Sequence, residues 1–149
     1  MVIIVTNFSD IFNRAMFRFS DYTYLDVDPE KRDEVMQVYL MSAISDFKNS
    51  CAIDLTDYDT TNQQFNNDLD DEIQEILALG VAYYWLSNKT LNSELLRNIM
   101  YRGDFKAYSP ANLLKEMSSL RTALRKEFRG KMNEYSYLNS NLNTLKAGD

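Results

Sequence analysis

Residues 109–149 read SPANLLKEMSSLRTALRKEFRGKMNEYSYLNSNLNTLKAGD. Tyr108-Ser109-Pro110 is a helix start: Ser accepts from a free N–H, and Pro fits the first turn, where its missing donor costs nothing. From there Leu113, Met117, Leu120, Leu124 and Phe128 recur at three- and four-residue spacing, an apolar stripe along a long helix. Arg121, Arg125 and Arg129 stand four residues apart, so they share one flank beside that stripe. Gly130 marks an expected bend or end; unbroken to Tyr137, the helix measures about 40 Å. The tail from Asn133 to Asp149 is rich in Asn and Ser, yet Tyr135, Tyr137, Leu138, Leu142 and Leu145 punctuate it. A purely solvating tail needs none of those, so it reads as an arm that orders on a partner, beside the plainer reading of a disordered end.

Such a helix needs an apolar neighbour, and one lies upstream. Asp68, Asp70, Asp71 and Glu72 load a helix start with negative charge, where the dipole favours it. Ile73, Ile76, Leu77, Leu79, Val81, Ala82, Tyr84, Trp85 and Leu86 then make the helix apolar nearly all round, as a central buried helix must be. Gly80 inside it costs about 1 kcal/mol against Ala, which predicts a closely approaching helix. Ser87-Asn88-Lys89 is its expected end.

Asp28-Pro29-Glu30 opens an earlier helix with Met36, Leu40, Ala43, Ile44 and Phe47 as its core face. Val35, Val38 and Tyr39 broaden that face for packing on two sides. Ser9 caps a first helix with Ile11, Phe12, Ala15, Met16 and Phe19 inward and Phe17 off that face. Ser93 caps a short helix through Leu95, Leu96, Ile99 and Met100, stopped by Gly103. Between the second and central helices, 49–67 is a polar, acidic loop with Asp54, Asp57 and Asp59, the expected mobile segment. Its alternating oxygens lack the turn Gly and closing Glu of an EF-hand calcium loop. No strand-turn-strand pattern stands out. The expected fold is therefore all-α: a bundle of four to five helices with a long C-terminal helix, a mobile acidic loop and extended terminal arms. Residues 1–8 form an N-terminal arm or short strand, 9–132 the helical domain and 133–149 the C-terminal arm.

Composition narrows the function. At 149 residues the chain is one domain's worth, 45% apolar and 26% charged. There is no His, and Cys51 is the sole cysteine, so the usual zinc sets, Ser-His and Cys-His pairs and any internal disulfide are excluded. No phosphate loop or G-x-S-x-G appears, and the acids sit in a loop or at a helix start rather than on apolar faces. The expectation is a non-enzyme without cofactor or metal. The apolar N-terminus Met1–Val5 lacks the basic start and cleavage site of a signal peptide, and no run is long enough to cross a bilayer. Charge is lopsided: residues 1–80 carry 16 acidic and 5 basic side chains, −11, and residues 81–149 carry 6 and 11, +5, for a net −6. That asymmetry suits head-to-tail contact between copies, or is simply solvated helix faces of opposite sign. The Arg121/Arg125/Arg129 row likewise reads three ways: an ion-paired face with Glu127 bridging Lys131, a surface for protein carboxylates, or a track for phosphates.

Three patches together resemble a known family. Asp70-Asp71-Glu72-Ile73-Gln74-Glu75-Ile76-Leu77-Ala78-Leu79-Gly80 runs into Tyr83-Tyr84-Trp85-Leu86. Tyr108-Ser109-Pro110-Ala111-Asn112-Leu113-Leu114 and Phe128-Arg129-Gly130-Lys131 follow. This pattern, over roughly residues 42–137, resembles the head-to-tail connector (adaptor, head-completion) proteins of long-tailed bacteriophages and prophages. The resemblance implies a virion protein of the neck, assembled in the host bacterial cytoplasm as a dodecameric ring beneath the portal. It implies as partners the portal protein, neighbouring copies, the next neck or tail-completion protein, and packaged DNA sliding through without sequence-specific binding. Carried over, Arg129, Lys131, Tyr135 and Tyr137 lie near the portal contact, and Arg121, Arg125 and Leu138 join them as partner-binding candidates. Asp54, Asp57 and Asp59 face the channel or the next ring, where negative charge suits passing DNA. The rival is a nucleic-acid-binding regulatory module using the Arg121/Arg125/Arg129 row; a third reading is a tail-completion or stopper protein. Arg125→Glu with Arg129→Glu is expected to leave the fold intact and weaken assembly.

Overall fold

The computed structural model describes residues 4–18, 29–91 and 110–147, without the side chains of 29–30, 89–91, 110–114 and 140–147. Its described elements are β1 (Thr6–Asn7), α1 (Phe8–Met16), α2 (Pro29–Phe47), β2 (Tyr58–Asp59), β3 (Gln64–Phe65), α3 (Asp71–Leu91) and α4 (Pro110–Ala147). The chain is mostly helical, ends in a 38-residue helix, and carries a small three-stranded sheet. The expected helix at 93–100 lies outside the described residues, as do Phe19 and Asp28.

Helix α3 is the hub, in contact with α1, α2 and α4. Asp70 caps it, its carboxylate accepting the Ile73 N–H at 2.9 Å. Ile73, Ile76, Leu77, Ala78, Leu79, Val81, Ala82, Trp85 and Leu86 are all buried, as an all-round apolar helix requires. Among the described residues it runs past the expected Ser87-Asn88-Lys89 to Leu91; Ser87 is buried within it. Gly80 explains the close packing. A Cβ built there lies 2.6 Å from the Ala43 Cβ of α2 and 2.9 Å from the Phe128 Cζ of α4. Both neighbours press on the same bare backbone, so the expected approach holds on two sides.

On α2 the core face is as read: Met36, Leu40, Ala43, Ile44 and Phe47 are buried. The widening holds only at Tyr39, which packs against the core. Val38 is 62% exposed and Val35 46%, while Tyr39 is half-buried. On α1, Phe8, Ile11, Phe12 and Ala15 are buried and Phe17 is 91% exposed, off the core face as expected. The cap differs by two residues: the Asp10 carboxylate accepts the Asn7 N–H, so the helix starts ahead of Ser9.

The sheet and the loop depart from the expected all-α plan. Strand β3 lies between β1 and β2, antiparallel to both, with Phe65 opposite Thr6 and Tyr58. Within residues 49–67, Tyr58 to Phe65 is thus a hairpin rather than an open loop. Phe65 is fully buried beneath the Phe8 ring, 5.1 Å between centroids, with Leu55 and Leu69 as further anchors. The buried Thr6 hydroxyl accepts the Leu69 N–H at 2.8 Å, and the Gln63 carbonyl, from a residue at φ 53°, accepts the Phe8 N–H. These ties hold the C-terminal side of the segment against β1 and α1.

Helix α4 also outruns its reading. It passes Gly130 without a break and continues to Ala147, about 57 Å in all. The expected arm from 133 onward is therefore helix as far as Ala147. Leu124, Phe128 and Tyr135 are its buried anchors, while Leu120 of the expected stripe is 45% exposed. Among the described residues, no helix is long and apolar enough to cross a membrane.

Candidate functional site

The Arg row divides along its length. Arg121 is half-buried: its Nε donates to the buried Ser87 Oγ at 3.1 Å, and its guanidinium lies 6.0 Å above the Tyr83 ring. It is a strut between α4 and α3. Arg125 and Arg129, one and two turns on, are exposed and line a cleft of about 440 Å³ between α2, α3 and α4. Tyr83, Tyr84 and Phe128 give the cleft an aromatic side; Asp46, Ser50 and Asn133 give it a polar one. Tyr83 and Tyr84 meet edge to face at 5.1 Å. The Tyr84 hydroxyl donates to the Asp46 carboxylate. Burial and that carboxylate push its pKa well up, against a smaller pull from Arg129, so it stays a donor. Arg125 and Arg129 form no ion pair or hydrogen bond among the described residues. Two cationic forks beside aromatic rings are suited to a carboxylate or another flat anion.

The other expected partner residues do not gather there. Tyr135 is spent inside the chain. It is 5% exposed, its ring meets Phe47 edge-on at 5.2 Å, and its hydroxyl accepts the Ala52 N–H at 3.2 Å. The Cys51 thiol sits 3.9 Å from the same oxygen, and burial pushes that thiol's pKa up, away from reactivity. Lys131 is exposed, and Tyr137 and Leu138, at 67% and 50% exposure, form an apolar pair beyond the last buried anchor among the described residues.

A second charged cluster ties the helices together. Arg14 reaches Asp71 at 2.8 Å and Glu75 at 3.2 Å; Arg18 reaches Glu75 and, at 3.3 Å, Glu127. Burial raises the Glu75 pKa, but hydrogen bonds and charge from Arg18 and Arg14 win and hold it below the usual carboxylate range. Glu127 is thus engaged across α1 rather than with Lys131.

No family model, curated protein or solved structure matches this chain.

Asp54, Asp57 and Asp59 are separate again, on the hairpin. Asp54 accepts from the Thr56 N–H at 2.9 Å and hydroxyl at 2.6 Å, Asp57 from the Asn66 amide at 2.8 Å. Asp59 accepts the Asn62 and Thr61 N–H groups and the Asn62 amide. Those bonds hold the Asp54 and Asp59 pKa values low, keeping both charged. Among the described residues, no three carboxylate or thiol groups come together as a metal site. The cleft residues that sequence spacing misses are Asp46, Tyr83 and Tyr84. Their signal was present: two adjacent Tyr in an otherwise apolar central helix need hydroxyl partners, and Asp46 adjoins the core residue Phe47.

Proposed function

We propose that this chain is a structural virion protein, a head-to-tail connector that forms a ring beneath the portal and joins the filled capsid to the neck or tail. The reading starts from the resemblance over residues 42–137 and is carried by one observation, the long helix α4. That helix is fastened to α3 near its middle and to residues 51–52 at Tyr135, and then presents Tyr137 and Leu138 outward. A rigid rod with an exposed aromatic-aliphatic pair beyond the last buried anchor among the described residues is a docking element for a protein partner. In this reading the portal takes the α4 end and neighbouring copies take the flanks. Packaged DNA passes through the ring without sequence-specific binding.

The nucleic-acid module needs an intact cationic track, and Arg121 is engaged by Ser87 and Tyr83. That leaves two exposed cations of the three, beside a carboxylate at Asp46.

Native mass spectrometry of the chain alone, and then mixed with the portal protein of the same genome, tests the proposal. A complex with portal subunits in matching copy number is expected. A chain that ignores portal and instead binds duplex DNA with steep salt dependence would overturn the connector in favour of the nucleic-acid reading.

A further inference from the structure

Residues 49–88 contain eight acids and neither Lys nor Arg. Three of the eight are accounted for within the chain. Asp71 and Glu75 are held by Arg14 and Arg18, and Asp70 caps α3. Asp54, Asp57, Asp59, Asp68 and Glu72 meet no cation among the described residues, yet the first three are fixed by local hydrogen bonds on a paired hairpin. Arg125 and Arg129 stand exposed at the α2–α3–α4 cleft and form no ion pair among the described residues, while Asp46, the carboxylate in the cleft lining, accepts the Tyr84 hydroxyl. One subunit therefore displays a rigid acidic segment and a cationic cleft that do not satisfy each other internally.

We infer that the cleft receives the acidic hairpin segment, Asp54 to Asp59, of a second copy of this chain. The inference rests on the ring-forming reading and supplies its subunit contact. The hairpin of each copy is thereby placed against a neighbour rather than the channel. Charge complementarity carries it: Arg forks take carboxylates in a two-pronged geometry, and the aromatic side of the cleft covers the backbone of an entering turn. The hairpin is already ordered by its own bonds, so docking costs little conformational freedom. Because donor and acceptor surfaces differ, the contact is head-to-tail, the type that closes into rings or propagates as filaments. Each ion pair is only partly desolvated, so a single contact is weak and sensitive to salt, and ring closure supplies the avidity.

Sedimentation velocity on the full chain, from micromolar to millimolar concentration, tests this with two variants that preserve local structure. Arg125→Gln with Arg129→Gln removes the positive charge of the cleft and leaves Asp46. Asp54→Asn, Asp57→Asn and Asp59→Asn neutralises the hairpin while each Asn keeps a side-chain oxygen for the turn bonds. Wild type is expected to self-associate, less so at high salt, and each variant alone to associate at least about tenfold more weakly. An equimolar mixture of the two variants should pair as a heterodimer and stop, because it retains one functional contact only. Unchanged assembly by either variant, a mixture that stays monomeric, or a wild type that is monomeric throughout overturns the inference. So does a cleft variant that loses binding to duplex DNA while self-association is untouched. The two proposals fail separately. Variants that still join portal at full stoichiometry remove this contact and leave the connector. Self-association through the cleft without portal recognition does the reverse.

Discussion

Adding one methyl group at Gly80 should destabilise the protein, although the same change in an open helix stabilises it. Gly80→Ala removes backbone freedom from the unfolded chain and gains about 1 kcal/mol of helix propensity. Against that, the new Cβ meets Ala43 Cβ at 2.6 Å, where ordinary contact begins at 3.4 Å. The Phe128 ring, at 2.9 Å, is able to swing; the Ala43 methyl has no torsion that moves it away. Helices α2 and α3 must separate by most of an ångström, and a gap of that size forfeits a quarter to a half of each neighbouring contact. Overpacking of this kind costs about 1–3 kcal/mol. The net expectation is a loss of about 1–2 kcal/mol, read as a lower urea midpoint at unchanged slope. Adding Ala43→Gly gives a second reading. The helix-propensity terms of the two changes then cancel and the α2 clash disappears, so the double variant should recover most of the loss. A Gly80→Ala protein as stable as wild type, or a double variant whose effects simply add, refutes the claim that this glycine exists for close approach.

Tyr135→Phe leaves the Ala52 N–H without its acceptor and should cost about 1–2 kcal/mol in denaturant unfolding; no change would mean that water already serves that group. Gly130→Ala should stabilise by about 0.5–1 kcal/mol, since nothing lies within 4 Å of the added carbon; a lower melting temperature would point to a distorted helix there. Glu75 has a lowered pKa in the folded chain, so the unfolded chain binds its proton more readily. Its stabilisation is present above the ordinary carboxylate range and is lost as pH falls through the folded value. Urea midpoints followed from neutral to acid pH should therefore fall less steeply for Glu75→Gln than for wild type, and parallel curves would exclude a role for the Arg14–Arg18 clasp.

Where one periodicity spans several turns, the residues predict their own burial. The α2 face from Met36 to Phe47 and the all-round apolar α3 were readable because many positions agree and burial follows the helical repeat. The sheet was not readable, since strands of two residues have no alternation to detect. They exist because Phe8 and Phe65 meet edge to face and Thr6 holds Leu69, contacts between residues about sixty apart. At Gly130 local propensity misled. The glycine costs the helix about 1 kcal/mol, but buried anchors on either side, Phe128 and Tyr135, carry it through. Had the seven-residue step from Arg121 to Phe128 been continued, Tyr135 would have fallen on the inward face. The cleft was half legible: its cations follow from spacing, whereas Asp46 and Tyr84 meet only through the packing of α2 on α3.

The seat of Tyr135 has a mechanical consequence. It is the last buried anchor among the described residues of α4, and the helix runs 12 residues further, a lever of about 18 Å. With that length, a tilt of about 10° at the Phe47 contact carries the far end through about 3 Å. Whatever grips the end of α4 is thereby coupled to the start of the acidic segment at Ala52, so tension applied at one is felt as a shift at the other.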